Sequence, residues 1–210
     1  MPEWIDISLP VTAGMVHWPG DPEIQVKRIA TIGPESFCNV TAISMCVHTG
    51  THMDAPLHFI DGGASMESMP LDAVVGTARV IEIFDPVKIT RIELERHALQ
   101  PGERILLKTS NSARLWKTNQ FLEDFVYISR EAADYMAETC IRTVGIDAYS
   151  VGGFRNDLQE THVSLLGAGI WIVEGLNLEH VAPGDYEFIC LPMKLIGADG
   201  APARAVLRRL

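Results

Sequence analysis

Twelve consecutive residues, His48-Thr49-Gly50-Thr51-His52-Met53-Asp54-Ala55-Pro56-Leu57-His58-Phe59, hold three of the chain's seven histidines and a carboxylate between them. Neutral imidazole together with carboxylate is the ligand set for zinc or another borderline divalent metal. His48 and His52 have the i, i+4 spacing that puts two ligands on one helix face. Gly50, two threonines and Pro56 argue against a helix here. His48, His52, Asp54 and His58 all fall on even positions, and alternate residues of an extended chain share a face. A strand end followed by a tight loop would aim all of them at one place. A lone histidine reads more simply as a satisfied polar residue. Several potential ligands in matched phase read as a metal or catalytic site.

A second carboxylate stands in a comparable position. Ile170-Trp171-Ile172-Val173-Glu174-Gly175 reads as an apolar strand on which Glu174 shares the phase of Ile170 and Ile172. An isolated buried carboxylate is costly and would sooner take up a proton. A metal removes that conflict; a strand end reaching water or an arginine is the plainer alternative. His162 lies near the start of a helix predicted from Asp157-Leu158-Gln159-Glu160, which has capping-box spacing, to Gly167 or Gly169. Alone it would read as an exposed histidine. A helix start and a strand end could both face the 48–58 loop.

The elements that must carry these residues are mostly strands. Trp4 to Ser8, Glu23 to Ala30, Asn39 to His48, Thr77 to Phe84, Arg104 to Lys108, Val126 to Ile128, Thr143 to Asp147, Tyr186 to Leu191 and Ala203 to Leu207 are each predicted as one. The Asn39–His48 strand would deliver His48 at its C-terminal end. Thr90 should cap a short helix through about Leu99, and Ser129 a helix over about 130–140 with Ala133, Met136, Ala137 and Cys140 toward the core. The latter helix, between strands at 126–128 and 143–147, predicts a parallel βαβ unit. Residues 113–124 carry no clear pattern, and Asn111 and Ser112 read as either a pocket lining or a plain turn. The absence of repeats, linkers and low-complexity tracts predicts one α/β domain over residues 1–210.

Composition narrows the function. The 210 residues are 47% hydrophobic and 21% charged, as in an ordinary globular protein. A net charge of −10 argues against nucleic-acid binding and against an anionic membrane surface. The N-terminus shows no signal-peptide pattern, and no apolar run reaches membrane-spanning length. Cys38, Cys46, Cys140 and Cys190 are widely spaced, which predicts free, buried thiols and a reducing cytoplasm. Cys46 shares the phase of His48, but a thiolate ligand ranks below the histidines. Trp18, in His17-Trp18-Pro19-Gly20-Asp21-Pro22, would pack as a lid on the core or stack on a flat substrate; the residues alone favour packing.

These motifs resemble the cyclase-like metal hydrolases, whose best-known members are bacterial kynurenine formamidases. The 48–59 stretch carries the resemblance, with Trp18-Pro19-Gly20-Asp21, Val144-Gly145-Ile146-Asp147, Thr161-His162, Ile172-Val173-Glu174-Gly175, Leu191-Pro192-Met193-Lys194 and Ala201-Pro202-Ala203-Arg204-Ala205-Val206 in order along nearly the whole chain. The resemblance implies a swivelling β/β/α fold in a homodimer, homotetramer or other homo-oligomer, with a metal site that is binuclear zinc in the formamidases. It implies His48, His52 and Asp54 as ligands of one metal, and Asp54, His162 and Glu174 as ligands that hold or bridge to a second. His58 matches the general acid/base and Trp18 a substrate-contacting aromatic. The segment Leu195-Ile196-Gly197-Ala198-Asp199-Gly200 and the surroundings of His162 differ from the formamidase pattern.

Chemistry follows from that assignment. Bound zinc brings the pKa of water to roughly 7, so hydroxide is available at neutral pH to attack an amide carbonyl. His58 can titrate near neutral pH and supply the departing nitrogen with a proton. Gly50 would let the loop pass close to the metals. The leading reading is an arylformamidase converting N-formylkynurenine to kynurenine and formate. Related members are isatin hydrolases, which open a cyclic amide with manganese, so the same scaffold acting on isatin is the alternative. A non-catalytic metal-binding oligomer is the third.

Overall fold

Alternating apolar residues build a sheet that closes on itself. The structure is a computed structural model and describes residues 3–210. Its strands are β1 (Ile5–Asp6), β2 (Gln25–Ala30), β3 (Val40–Ser44), β4 (His52–Asp54), β5 (Val75–Glu82), β6 (Lys88–Ile89), β7 (Arg104–Lys108), β8 (Tyr127–Ile128), β9 (Thr143–Ile146), β10 (Trp171–Glu174), β11 (Gly184–Pro192) and β12 (Gly200–Arg209). The α-helices are α1 (Arg91–Glu95), α2 (Arg130–Thr139) and α3 (Leu158–Gly167). Seven strands form a ring in the order β4–β12–β11–β5–β7–β9–β10, with β10 returning to β4. β5, β7, β9 and β10 run parallel, and the remaining junctions of the ring are antiparallel. The result is a mixed α/β barrel.

The two faces of the ring carry separate cores. Met53, Val80, Leu106, Val173, Phe188 and Ala201 belong to the cluster that fills the interior. Their neighbours Ile81, Ile105, Leu107 and Ile172 face outward and join Ala132, Ala133, Met136, Leu165 and Leu166 of α2 and α3. Side chains that alternate across a strand impose this division. It has one consequence for the candidate ligands. Met53 points inside the barrel, so His52 and Asp54 on the same short strand point outside, toward the helices.

Several expectations are corrected. The strand predicted over 39–48 ends at Ser44 and forms a separate hairpin with β2, so it does not carry His48, which lies on the following turn. The 48–59 stretch contains its own strand, β4, where a loop was expected. α1 is one turn and a half rather than reaching Leu99, although Thr90 Oγ1 does accept from Glu93 N. β8 pairs with β6 in a small separate sheet, so α2 connects the adjacent parallel strands β7 and β9 rather than β8 and β9, and α3 makes the next such crossover between β9 and β10. Asp157 makes no side-chain cap to its helix; its carboxylate accepts from Arg130 N instead. Of the four cysteines only Cys190 is buried; Cys140 is exposed at the left-handed end of α2.

The 109–112 loop turns out to be framework. Asp147 is fully buried at the end of β9 and accepts from Thr109 N and Oγ1 and from Ser112 N and Oγ. Burial pushes its carboxyl up to about 6 against the pull of these donors, so at neutral pH it is ionised and purely an acceptor. Ser112 Oγ also accepts from Leu178 N, and Asn111 is bonded on both amide atoms to Val126. Asp147→Ala leaves these buried donors without an acceptor, at about 1–3 kcal/mol for each one orphaned. A stability loss of about 4 kcal/mol or more in urea denaturation is expected, with an unchanged m-value; a loss under about 1 kcal/mol would show the network to be dispensable.

Candidate metal centre

β4 is the axis of the site. It lies between β10 and the start of β12, with Glu174 opposite His52 and Gly200 opposite Asp54. His52, Asp54 and Glu174 are all buried on the outer face of the ring. α3 lies over that face and adds His162, which is also buried, not exposed as a histidine near a helix start would be by itself. His162, Leu165 and Leu166 have helical spacing and share the buried face of α3, a signal legible in the sequence. His48 comes from the turn before β4, and His58 from the single 3-10 turn Pro56–His58 after it.

The predicted ligands converge. His48 Nδ1 is 2.9 Å from Asp54 Oδ1, and His52 Nε2 is 3.5 Å from the same oxygen. His52 Nε2 is 3.2 Å from Glu174 Oε2, and His162 Nε2 is 3.3 Å from Glu174 Oε1 and 3.6 Å from Asp54 Oδ2. Asp54 therefore faces His48 and His52 with one oxygen and His162 with the other. His52 Nδ1 lies 2.9 Å from Gly50 O and His162 Nδ1 2.6 Å from Leu158 O. A carbonyl can only accept, so each ring donates there and keeps Nε2 as a lone-pair donor toward the carboxylates.

Such a cluster needs positive charge at its centre. Burial alone would lower His52, but Asp54 and Glu174 carry it up to about 10. Burial would raise Asp54, but His48 and His52 pull it well below the usual carboxylate range. Burial and Asp54 would both raise Glu174, yet His162 and His52 hold it below its ordinary value. Even so, His52 Nε2 and Asp54 Oδ2 are buried without a hydrogen-bond partner. Two close contacts that fail as hydrogen bonds, between an imidazole lone pair and carboxylate oxygens, fit a divalent cation better than they fit each other. His52, Asp54 and Glu174 bring ligand atoms within 4.8 Å of one another, as do His48, Asp54 and His58.

A cleft opens over this cluster. Its volume is about 170 Å³, and Trp18, Phe59, Tyr149, His58, His162 and Glu174 are among its walls. A space of that size admits one small molecule and no folded polymer. Trp18 meets Phe121, Phe125 and Phe154 edge to face, with ring centroids 5.3, 6.4 and 5.5 Å away. The two readings of Trp18 are thus compatible: it packs on the aromatic cluster and presents a face to the cleft. Phe59 stacks on His162 at 4.1 Å, and His58 on His48 at 3.9 Å. Burial lowers His58 from the ordinary imidazole value, against the opposing pull of Asp54. Tyr149 and Asp199, which the sequence did not single out as site residues, also reach the site: Tyr149 lines the cleft and Asp199 Oδ2 lies 2.9 Å from His48 Nε2.

The family model for putative cyclases matches residues 5–152. The chain belongs to the cyclase family. Kynurenine formamidases of Bacillus thuringiensis and Bacillus cereus are each 38% identical to it over 206 residues, 98% of this chain and 97% of theirs. A solved potential metal-dependent hydrolase with cyclase activity is 37% identical with a TM-score of 0.86, over 99% of this chain and 98% of that one. Isatin hydrolase A from Labrenzia aggregata shares the fold, with a TM-score of 0.85 at 22% identity over 99% of this chain and 93% of its own.

Glycines let this cyclase-family member close its site. Gly50 has a φ of +67°, but space around it is ordinary. The tight approach is at its neighbour Gly175, also at +67°, where a Cβ would lie 2.1 Å from Gly50 O. Gly175→Ala must therefore push the end of β10, which carries Glu174, away from the loop that carries His52. We expect a stability loss of about 3 kcal/mol or more and a fall in bound metal by elemental analysis. Gly14→Ala shares a positive φ of +79° with nothing within 4 Å, and should cost only about 1 kcal/mol with metal content unchanged. Equal effects of the two would mean that backbone strain, rather than crowding, explains the result.

Proposed function

We propose that this chain is a metal-dependent amide hydrolase, an arylformamidase that converts N-formylkynurenine to kynurenine and formate. The observation that carries the reading is the placement of His58, an imidazole beside a buried cluster of two histidines and two carboxylates, in the wall of an aromatic-lined cleft. Near full-length similarity to kynurenine formamidases supports the substrate class, and the walls of Trp18, Phe59 and Tyr149 suit an aryl group.

His48, His52, Asp54, His162 and Glu174 would hold the metal. Asp54, with histidines facing both of its oxygens, could serve more than one ion, and a set of three imidazoles and two carboxylates would suit zinc. When bound, the metal supplies a Lewis acid and makes water nucleophilic at neutral pH. The remaining work falls to the chain. His58 takes a proton from the attacking water as the new carbon–oxygen bond forms. The carbon–nitrogen bond then breaks, and His58 returns that proton to the aryl nitrogen, which leaves as a free amine. The second product is formic acid, released as formate. Trp18 and Phe59 hold the ring and keep bulk water from it.

The whole chain acts as one domain of the swivelling β/β/α type. Among the described residues no helix is long and apolar enough to cross a membrane, and the four free cysteines favour a cytoplasmic location. A homodimer or homotetramer is supported by the β2–β3 hairpin, which projects from the barrel with Val26, Ile29, Val40 and Ile43 exposed, and with Ile32 and Phe37 exposed near its tip. Replacing Ile43 and Phe37 by Asp should lower the mass seen by light scattering; an unchanged mass would remove the hairpin from the interface.

The test of function is release of the free arylamine from N-formylkynurenine by zinc-loaded and chelator-stripped protein. Stripping should abolish turnover and zinc should restore it. His58→Ala should lower kcat by about 10²–10⁴-fold while bound zinc stays unchanged. Activity surviving exhaustive chelation would defeat the proposal, and loss of zinc in His58→Ala would make that residue a ligand. Turnover of isatin in place of N-formylkynurenine would transfer the assignment to cyclic amides.

A further inference from the structure

We propose that Asp199 is a positioning residue for His58, resting on the reading of His58 as the acid/base of amide hydrolysis. Asp199 Oδ2 lies 3.3 Å from His58 Nδ1 and 2.9 Å from His48 Nε2. One carboxylate oxygen thus stands between two imidazoles whose rings stack at 3.9 Å, tilted by 22°. A neutral imidazole carries one N–H, and its two nitrogens have opposite roles. The negative oxygen 3.3 Å from Nδ1 favours, by charge, the tautomer with the proton on Nδ1 and the lone pair on Nε2. Nε2 is then the nitrogen able to take a proton from water and return it to the departing amine. Without Asp199 the proton is free to occupy either nitrogen, and the ring loses its stop on that side.

The backbone at this point is built to hold such a carboxylate. Ala55 N donates to Asp199 O at 2.8 Å, and Met66 N to Ala198 O at 2.9 Å. Gly197 N donates to Glu67 Oε2 at 3.0 Å. Gly200 then pairs with Asp54 at the start of β12, so close to His48 that a Cβ there would meet His48 Cε1 at 2.6 Å. The segment preceding and following Asp199 is therefore clamped to the loop that carries His58 and to the strand that carries Asp54. The Asp199 side chain itself is 44% exposed. Its removal leaves the clamping backbone bonds intact, so Asp199→Ala should fold.

The deciding measurement is the tautomer of His58 in zinc-loaded protein labelled with ¹⁵N-histidine. Long-range ¹H–¹⁵N spectra report which ring nitrogen carries the proton, with His58→Gln identifying the signal. The wild type should show Nδ1–H. Asp199→Ala should shift His58 to Nε2–H or to a mixture, with bound zinc unchanged. On N-formylkynurenine, kcat should fall at least tenfold with KM within about twofold, and Asp199→Ala should have no further effect in a His58→Ala background. An unchanged tautomer overturns the proposal. Loss of zinc also overturns it, since Asp199 would then act through His48. If the wild type does not cleave N-formylkynurenine, the functional reading fails while the tautomer still decides the role of Asp199.

Discussion

Two carboxylates share one buried place in this protein, and the rest of the site answers that constraint. Asp54 and Glu174 sit on adjacent strands, withdrawn from water, where like charges repel strongly. Three imidazoles stand against them at 2.9–3.6 Å, and two of these are locked by backbone carbonyls so that a lone pair faces the carboxylates. Protons can supply the missing positive charge only by giving up the lone pairs. A divalent cation supplies it while using them. The cluster therefore reads as a ligand set waiting for charge rather than as a network of salt bridges selected for stability.

The location of this cluster follows from barrel closure. β4 has only three residues, and its middle one, Met53, is claimed by the barrel interior. His52 and Asp54 are forced to the outer face, where α3 covers them. A short strand held on both sides, by β10 and by β12, cannot shift its register without putting Met53 outside and the ligands inside. Close backbone contacts at Gly175 and Gly200 lock the same three strands from above. The cleft in front of them is walled by loops and aromatic side chains, which leaves shape and specificity to parts of the chain that do not carry the framework.

Much of this was legible before folding was considered. The even phase of His52 and Asp54 is that of β4, and the shared phase of Ile172 and Glu174 is that of β10. The Ser129-capped helix also follows from pattern. The misjudged parts share a cause. His48 was placed on a strand because residues 39–48 alternate, but that alternation belongs to a solvent-exposed hairpin whose strand stops at Ser44. His162 looked exposed because a histidine near a helix start has no local reason to be buried. Asn111 and Ser112 read equally as a pocket lining or a plain turn, since a polar loop at a strand end looks the same whether it binds a ligand or a neighbouring loop.

The sequence by itself determined the chemistry available: which side chains can bind a metal, the phase that groups His52 with Asp54, the second carboxylate at Glu174, and the family. Those are properties of residue type and of spacings within a few residues, where strand and helix periods act. Only the tertiary structure decided which face of the barrel the ligands occupy, that His162 is buried against them, and that Asp199 reaches two histidines from more than a hundred residues away. These depend on β12 and α3 closing over β4. No local period records the closure, because it comes from burying two faces of one ring of strands at once.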